Sequence, residues 1–273
     1  MQLSRSARIA LRVAAGVGFA FIYVPLALVL VNSFNPDRSA SWPPSGLTFR
    51  WWSVAWENEG ARAALWVSVK AGLGATAIAL VLGTLIAFAV ARHRFFGRDA
   101  ISFVVVLPIA LPGIVTGIAL NSAFSTVLEP LGVGLGLGLF TVIVGHATFC
   151  IVVVFNNVVA RLRRTSGSYE EAAMDLGADT FRAFVDVTFP LVRSALLAGG
   201  LLAFALSFDE IVVTTFTAGP GIETLPIWIF NNMTRPQQAP VVNVVAAVLV
   251  LLSVLPIYAA QRLSADTASG SRV

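Results

Sequence analysis

Six runs of twenty or more mostly apolar residues punctuate this chain: Ile9 to Val31, Ala63 to Ala91, Ile101 to Thr126, Leu139 to Ala160, Ala195 to Phe216 and Val241 to Gln261. About 20 such residues, wound as a helix, cover a hydrocarbon core of roughly 30 Å. In lipid the backbone must satisfy its hydrogen bonds within each segment, so every run is expected to be helical. The predicted class is therefore an all-α membrane protein with six transmembrane helices. Composition agrees: 57% of residues are hydrophobic, 12% are charged, and mean hydropathy is +0.85, far from the balance of a soluble domain. The second and third runs are long enough to tilt or overhang the bilayer.

Arginine placement predicts orientation. With the N-terminus in the cytoplasm, thirteen arginines fall on the inner side, including Arg92, Arg94, Arg98, Arg161, Arg163 and Arg164, against four outside, Arg38, Arg50, Arg62 and Arg235. Both termini are then cytoplasmic. The net charge of +4 and the pI near 10 follow from this asymmetry and do not point to nucleic acid. Ile9 to Val31 exceeds the apolar core of a signal peptide, and no small-residue cleavage pattern follows it, so a retained span is expected. The single cysteine, Cys150, lies within a span and excludes an intrachain disulfide or a cysteine metal cluster; a packing role is expected. No metal site is predicted. His146 is expected to be a packed core histidine, because no second ligand has suitable spacing.

Between the fourth and fifth runs lies the longest expected cytoplasmic loop, Arg161 to Ser194, within which Ser166 to Pro190 reads like soluble protein. Ser168, with Glu171 three residues on, has the spacing of a capping box, which predicts a helix over "YEEAAMDL" that Gly177 ends. Asp179 is placed to cap a second helix with Phe181, Phe184 and Val185 on one face, and Pro190 to stop or bend it. Ala172 and Ala173 leave a shallow surface for a close-fitting partner.

Glu171, Ala172, Ala173, then three residues, Gly177, nine residues and "VTFP" resemble the EAA signature of ABC importer permeases; Val187 and Phe189 replace its usual isoleucine and leucine. With six spans and this loop between the fourth and fifth, the resemblance covers nearly the whole chain. It implies a type I ABC importer permease fold and a loop that acts as the coupling helix to a cytoplasmic ATPase. Glu171, Ala172, Ala173 and Gly177 would form the contact, with Asp179 and Pro190 setting its shape. It also implies partners: a second homologous permease, two ATP-binding subunits and an extracytoplasmic solute-binding protein, in the lipid of a bacterial inner membrane. A Walker A loop needs a lysine after glycine, and the only lysine, Lys70, follows Val69. No cofactor is expected in this chain; ATP and magnesium belong to the partner ATPase, and the chain itself is not an enzyme. The glycine run Leu131 to Gly138 lacks the strand, helix and acid of a dinucleotide site and reads as a turn.

Substrate clues come from polar groups inside spans, where a carboxylate at a helix centre costs about 2.5–3.5 kcal/mol. The fifth run carries "LSFDEIVVTTF", with Asp209 and Glu210 adjacent and so pointing about 100° apart around a helix, and Ser207, three residues before Glu210, able to share its face. This stretch resembles the polyamine (spermidine and putrescine) subfamily of these permeases, in which a serine and paired acids occur here. An amine with two or three positive charges needs carboxylates and aromatic faces along its path. Trp51, a position where polyamine permeases also carry tryptophan, is a candidate face at the outer mouth; Trp52 reads as interfacial belt. Some polyamine permeases have an acid in the segment matching "LPGIV", where this chain has Gly113. Fewer carboxylates fit a smaller diamine or an amino acid derivative. Pro108 and Pro112 should interrupt the third span, which membrane proteins tolerate where the break lines a cavity or is buried.

The expected division is an N-terminal helix and outer loop (1–62), a transmembrane core (63–262) carrying the coupling loop (161–194), and a cytoplasmic tail (263–273). Two other classes remain open on the residues alone. A secondary transporter would use Asp209 or Glu210 to carry a coupling proton and usually shows an internal repeat. A non-transporting scaffold would leave the intramembrane acids without a role.

Overall fold

The computed structural model describes residues 4–38, 42–128 and 136–269. Among the described residues the regular elements are all helices, without strands, and the chain divides into two compact units, Met1–Arg62 with Trp228–Leu252 and Ala63–Ile227 with Ser253–Val273. Most of the expected glycine turn, residues 131–135, lies outside the described residues.

In the first unit, α1 (Arg5–Asn32) starts where the Ser4 hydroxyl accepts a hydrogen bond from the Ala7 amide, and none of its residues is buried. A short helix not foreseen from the sequence, α2 (Arg50–Glu57), follows the outer loop. Phe34 anchors it, meeting Phe49 edge-on at 5.2 Å and stacking on Trp52 at 5.3 Å. Aromatic packing, rather than helix propensity, selects this fold of the loop.

The second unit takes in nearly all of α3 (Glu59–Arg92), then α4 (Arg98–Ala110), α5 (Gly113–Ser122), α6 (Leu139–Arg163), α7 (Ser168–Asp175), α8 (Thr180–Arg182), α9 (Phe189–Phe208) and α10 (Val212–Thr217). Ala71, Ala75, Ala79 and Ala87 of α3 recur every fourth residue or its multiple and are all fully buried. Gly83 completes the stripe. Without a hydrophobic drive between helices in lipid, such small faces allow backbones to approach and gain dispersion contacts. A Cβ on Gly83 would lie 2.9 Å from the Ile151 carbonyl oxygen and 3.2 Å from the Phe155 amide nitrogen, both backbone atoms of α6 that cannot turn aside. Gly83→Leu is expected to destabilise this unit by about 1–3 kcal/mol, the range for overpacking. A lower midpoint of thermal aggregation in detergent checks this, and an unchanged midpoint would contradict it.

The third apolar run is broken, as its prolines predict: α4 and α5 meet at 106°. Pro112 makes the break, because Leu111 before it is driven to an extended backbone (φ −81°, ψ 145°), whereas Pro108 is accommodated inside α4. α5 ends in a wide π-type turn over Ala123–Leu128.

The fifth run departs from expectation. It is not one helix from Ala195 to Phe216: α9 stops at Phe208, and α10 starts at Val212. Nor does the second helix of the loop stop at Pro190. Thr180–Phe208 runs on as one apolar helical stretch that widens over Ala183–Thr188, where the Phe189 amide reaches back five residues to the Phe184 carbonyl. A wide turn just before a proline gives its ring room and absorbs its missing donor.

The remaining elements are α11 (Leu225–Asn232) and α12 (Ala239–Ser269). Among the described residues, five helical stretches are long and apolar enough to cross a membrane, α1, α3, α6, Thr180–Phe208 and Ala239–Ala259; the bent pair of α4 with α5 makes six if taken as one span.

Candidate substrate path and coupling loop

Three turns of chain shape the loop before α9. α7 begins one residue earlier than the capping box required. Ser168 is its first helical residue, Gly167 is the N-cap, and no side chain caps it. Ser166 is the reason: its hydroxyl accepts from the Ser168 amide at 3.2 Å and meets the Ser168 hydroxyl at 2.7 Å, so Ser168 is drawn away from a capping role. The helix is held instead by an ion pair from the end of α3. Arg92 places Nη2 3.0 Å and Nε 3.1 Å from Glu170 Oε1, and Nη1 donates to the Thr165 carbonyl at 3.0 Å.

Glu170 thus faces inward, and Glu171, Ala172, Met174 and Leu176 are exposed, Leu176 at 90%. Exposed alanines beside an exposed leucine and methionine form a shallow apolar surface on a polar loop. Ala173 is half-buried.

Gly177 ends α7 as expected, and the geometry explains why glycine is there. Its φ is +93°, with its amide bonded to the Met174 carbonyl (2.9 Å) and the Ala178 amide to the Ala173 carbonyl (3.0 Å), the paired bonds of a Schellman cap. Asp179 caps α8 as expected, its carboxylate accepting from the Arg182 amide at 2.7 Å. Asp179→Ala should therefore cost about 1 kcal/mol of local helix stability. Faster hydrogen exchange at residues 180–184 than in the unsubstituted protein checks it. Phe184 meets Phe88 of α3 edge-on at 5.7 Å, Phe181 is exposed, and Pro190 is exposed at the start of α9.

At the far end of α9 the two acids occupy the break between helices. Asp209 is the C-terminal cap residue of α9 and is exposed. Glu210 is half-buried, and its carboxylate accepts from the Val213 amide at 2.8 Å, starting α10. That bond satisfies a free amide at a helix start and places negative charge at the positive end of the dipole. No proline or glycine marks this break; a glutamate side chain bridges it.

Ser207 is buried, and its hydroxyl lies 2.7 Å from His146 Nδ1. His146 Nε2 lies 2.7 Å from the Thr214 hydroxyl, and His146 is fully buried, so it is the packed core histidine expected, with partners on both sides of the break. Asn121 of α5 donates to the Phe216 carbonyl at 2.7 Å, and Thr141 of α6 to the Thr217 carbonyl at 2.7 Å, closing the last turn of α10. Cys150 is buried, its thiol directed to the Ala203 carbonyl at 3.3 Å.

Gly113 and Gly117 line the face of α5 against α10. A Cβ on Gly113 would meet Val212 at 3.3 Å, and one on Gly117 would meet Phe216 at 2.6 Å. The broken third and fifth runs therefore touch at their breaks, through Gly113 and Val212 and through Gly117 and Phe216. In the other unit, Trp51 is buried, its indole donating to the Pro36 carbonyl at 3.4 Å with the Arg50 guanidinium 5.2 Å over its ring.

Sequence reasoning passed over Thr214 and Asn121 as site elements and gave His146 no polar role. Ser207 and Thr214 lie seven residues apart around the acids, which is the signal that a partner spans them.

Residues 60–268 match the family model described as "Binding-protein-dependent transport system inner membrane component". The chain belongs to that family. It is a multi-pass inner-membrane permease component, and the resemblance read from the EAA segment is thereby established. It is 33% identical to the putrescine transport system permease protein PotI of Escherichia coli (strain K12) over 235 residues, 85% of this chain and 83% of that one. It is also 33% identical to the spermidine/putrescine transport system permease protein PotC of the same strain over 254 residues, 93% of each. Among solved structures, a chain of a bacterial ABC transporter involved in the import of the acidic polysaccharide alginate superposes with a TM-score of 0.68, at 17% identity, over 97% of this chain and 99% of that one. This last likeness concerns the fold.

Proposed function

We propose that this permease carries a small polyamine, putrescine in the first place and spermidine in the second, into the cytoplasm, driven by ATP hydrolysis on separate subunits. The observation that carries the reading is the pair of carboxylates, Asp209 and Glu210, held at the break of a membrane helix in a chain one-third identical to two polyamine permeases. Two or three ammonium groups leaving water need fixed negative charge, and an intramembrane acid is costly unless it has such a use. The path residues in this reading are Asp209 and Glu210, with Ser207 beside them and Trp51 at the outer mouth. Gly113, in close contact with Val212, leaves the path with fewer acids than some relatives and favours the diamine.

The coupling half of the reading assigns the loop 161–194 to an ATPase cleft. Glu171, Ala172, Ala173 and Gly177 make the contact, and Asp179 and Pro190 shape it. The transporter then contains this chain, a second homologous permease, two ATP-binding subunits that hold ATP and magnesium, and an extracytoplasmic binding protein. Six spans, both termini in the cytoplasm, and the division into 1–62, 63–262 and 263–273 complete the topology. Helical continuity from Thr180 to Phe208 supports the mechanism, since it joins the loop to the acids by one element. Motion of the ATPase surface moves α9 lengthwise and changes the break where the substrate is held.

The test is uptake of labelled putrescine by the reconstituted complex with Asp209→Asn. The carboxamide keeps the size of the side chain and removes its charge, so uptake should fall while the complex still assembles. Normal uptake by that variant would take Asp209 off the path. A permease for an amino acid derivative would instead ignore putrescine and respond to that derivative in the same assay.

A further inference from the structure

We infer that His146 is a positioning residue for Glu210: through Ser207 and Thr214 it fixes the break between α9 and α10 and so sets where the Glu210 carboxylate lies. This rests on the reading of Asp209 and Glu210 as path residues. His146 belongs to α6 and is 61 and 68 residues from its two partners. Its ring fills a fully buried site where an apolar side chain would serve for packing alone.

The hydrogen bonds assign the direction of the chain. The Thr214 hydroxyl donates its one proton to the Glu210 carbonyl at 2.9 Å, so it must accept from His146 Nε2–H. His146 Nδ1 is then the acceptor and takes the Ser207 proton. Each donor is used once, and the relay runs from the last turn of α9, through the imidazole, to the backbone of Glu210. Glu210 is thereby held twice, at its carbonyl by Thr214 and at its carboxylate by the Val213 amide. Asp209, next to it, is tied through its backbone amide to the Ala205 and Ser207 carbonyls. The two acids differ in constraint: one is fixed by the relay, and the other is exposed.

The arrangement also spans the two parts of the broken helix. Ser207 lies in the last turn of the stretch Thr180–Phe208, which starts in the loop, and Thr214 lies on α10, which Asn121 and Thr141 tie to α5 and α6. One imidazole therefore touches both parts of the broken helix. A side chain without two opposed polar atoms cannot do this. Glutamine, with a donor and an acceptor on one carboxamide, can do so in part.

Uptake of labelled putrescine by the complete reconstituted complex, with KM and maximal rate measured separately, tests the assignment through a double-mutant cycle. His146→Leu is expected to raise KM about tenfold, the scale of one hydrogen bond serving a charged group. His146→Gln should recover most of that loss. In a Glu210→Gln background, His146→Leu should add nothing further, since the group it positions has already lost its charge. Losses that simply add would make His146 a structural residue and overturn the proposal. Should the leucine variant fail to assemble, Thr214→Val, which removes one hydroxyl at nearly constant volume, takes its place with the same expected KM and the same non-additivity; a normal KM would overturn the proposal. If Glu210→Gln itself takes up putrescine normally, the path reading fails and the positioning role falls with it, a result distinct from additivity.

Discussion

Glu210→Gln in the reconstituted transporter will lower putrescine uptake efficiency about tenfold to a hundredfold, the range for a lost hydrogen bond to a charged group. Glutamine isolates the charge, because its side-chain oxygen can still accept from the Val213 amide and start α10. Glu210→Ala removes both charge and cap and is expected to reduce assembled complex as well, with a cap loss of about 1 kcal/mol added to the loss of the ligand. The comparison of the two variants separates recognition from architecture. Binding-protein-dependent uptake, normalised to assembled complex, is the measurement. Equal uptake by Glu210→Gln and the unsubstituted protein would remove this carboxylate from the path.

Gly177→Val will uncouple the transporter. At φ +93° a β-branched residue is strained, by more than the 1–2 kcal/mol typical of a left-handed residue. No atom lies within 4 Å of the added Cβ, so the cost arises from the backbone and not from a clash. The Schellman bonds that end α7 must then give way, which changes the angle between α7 and α8 and with it the exposed face of Glu171 and Ala172. The expected result is loss of more than nine-tenths of substrate-stimulated ATP hydrolysis, about 1.4 kcal/mol of coupling, with the permease still in the membrane. Gly177→Asn should retain far more, since asparagine tolerates left-handed backbone better than most residues. Full stimulation in the valine variant would mean that this loop does not carry the signal.

Much of the fold was legible because lipid imposes a simple rule. Length and apolarity located the helices of α1, α3, α6 and α12, and Pro112 located the bend in the third run, since its ring constrains Leu111 directly. The break in the fifth run was not legible. Asp209, Glu210 and Ile211 contain no helix breaker, and the interruption depends on a carboxylate folding back to Val213 and on His146 reaching across from another helix. The His146 bonds are tertiary and override local propensity, whereas the Glu210 bond spans three residues, as the Asp179 cap does, but falls inside an apolar run that reads as one continuous helix. In the loop, Ser166 competes with Ser168 from two residues away for the start of α7, and Arg92, 78 residues from Glu170, holds the helix in place by a tertiary bond. Gly177 and Asp179 were legible, because both act through their own neighbours.

Family membership also bears on the rival mechanisms. A binding-protein-dependent inner-membrane component has no need of a proton carried by Asp209 or Glu210, and a scaffold has no need of carboxylates at a broken span. The most direct measurement is ATP hydrolysis in nanodiscs by this chain assembled with its partner permease, ATPase and binding protein. Putrescine should stimulate hydrolysis when the binding protein is present and have no effect without it. Hydrolysis indifferent to putrescine and spermidine would contradict the polyamine reading, and polyamine uptake by this chain alone, without nucleotide, would contradict the importer.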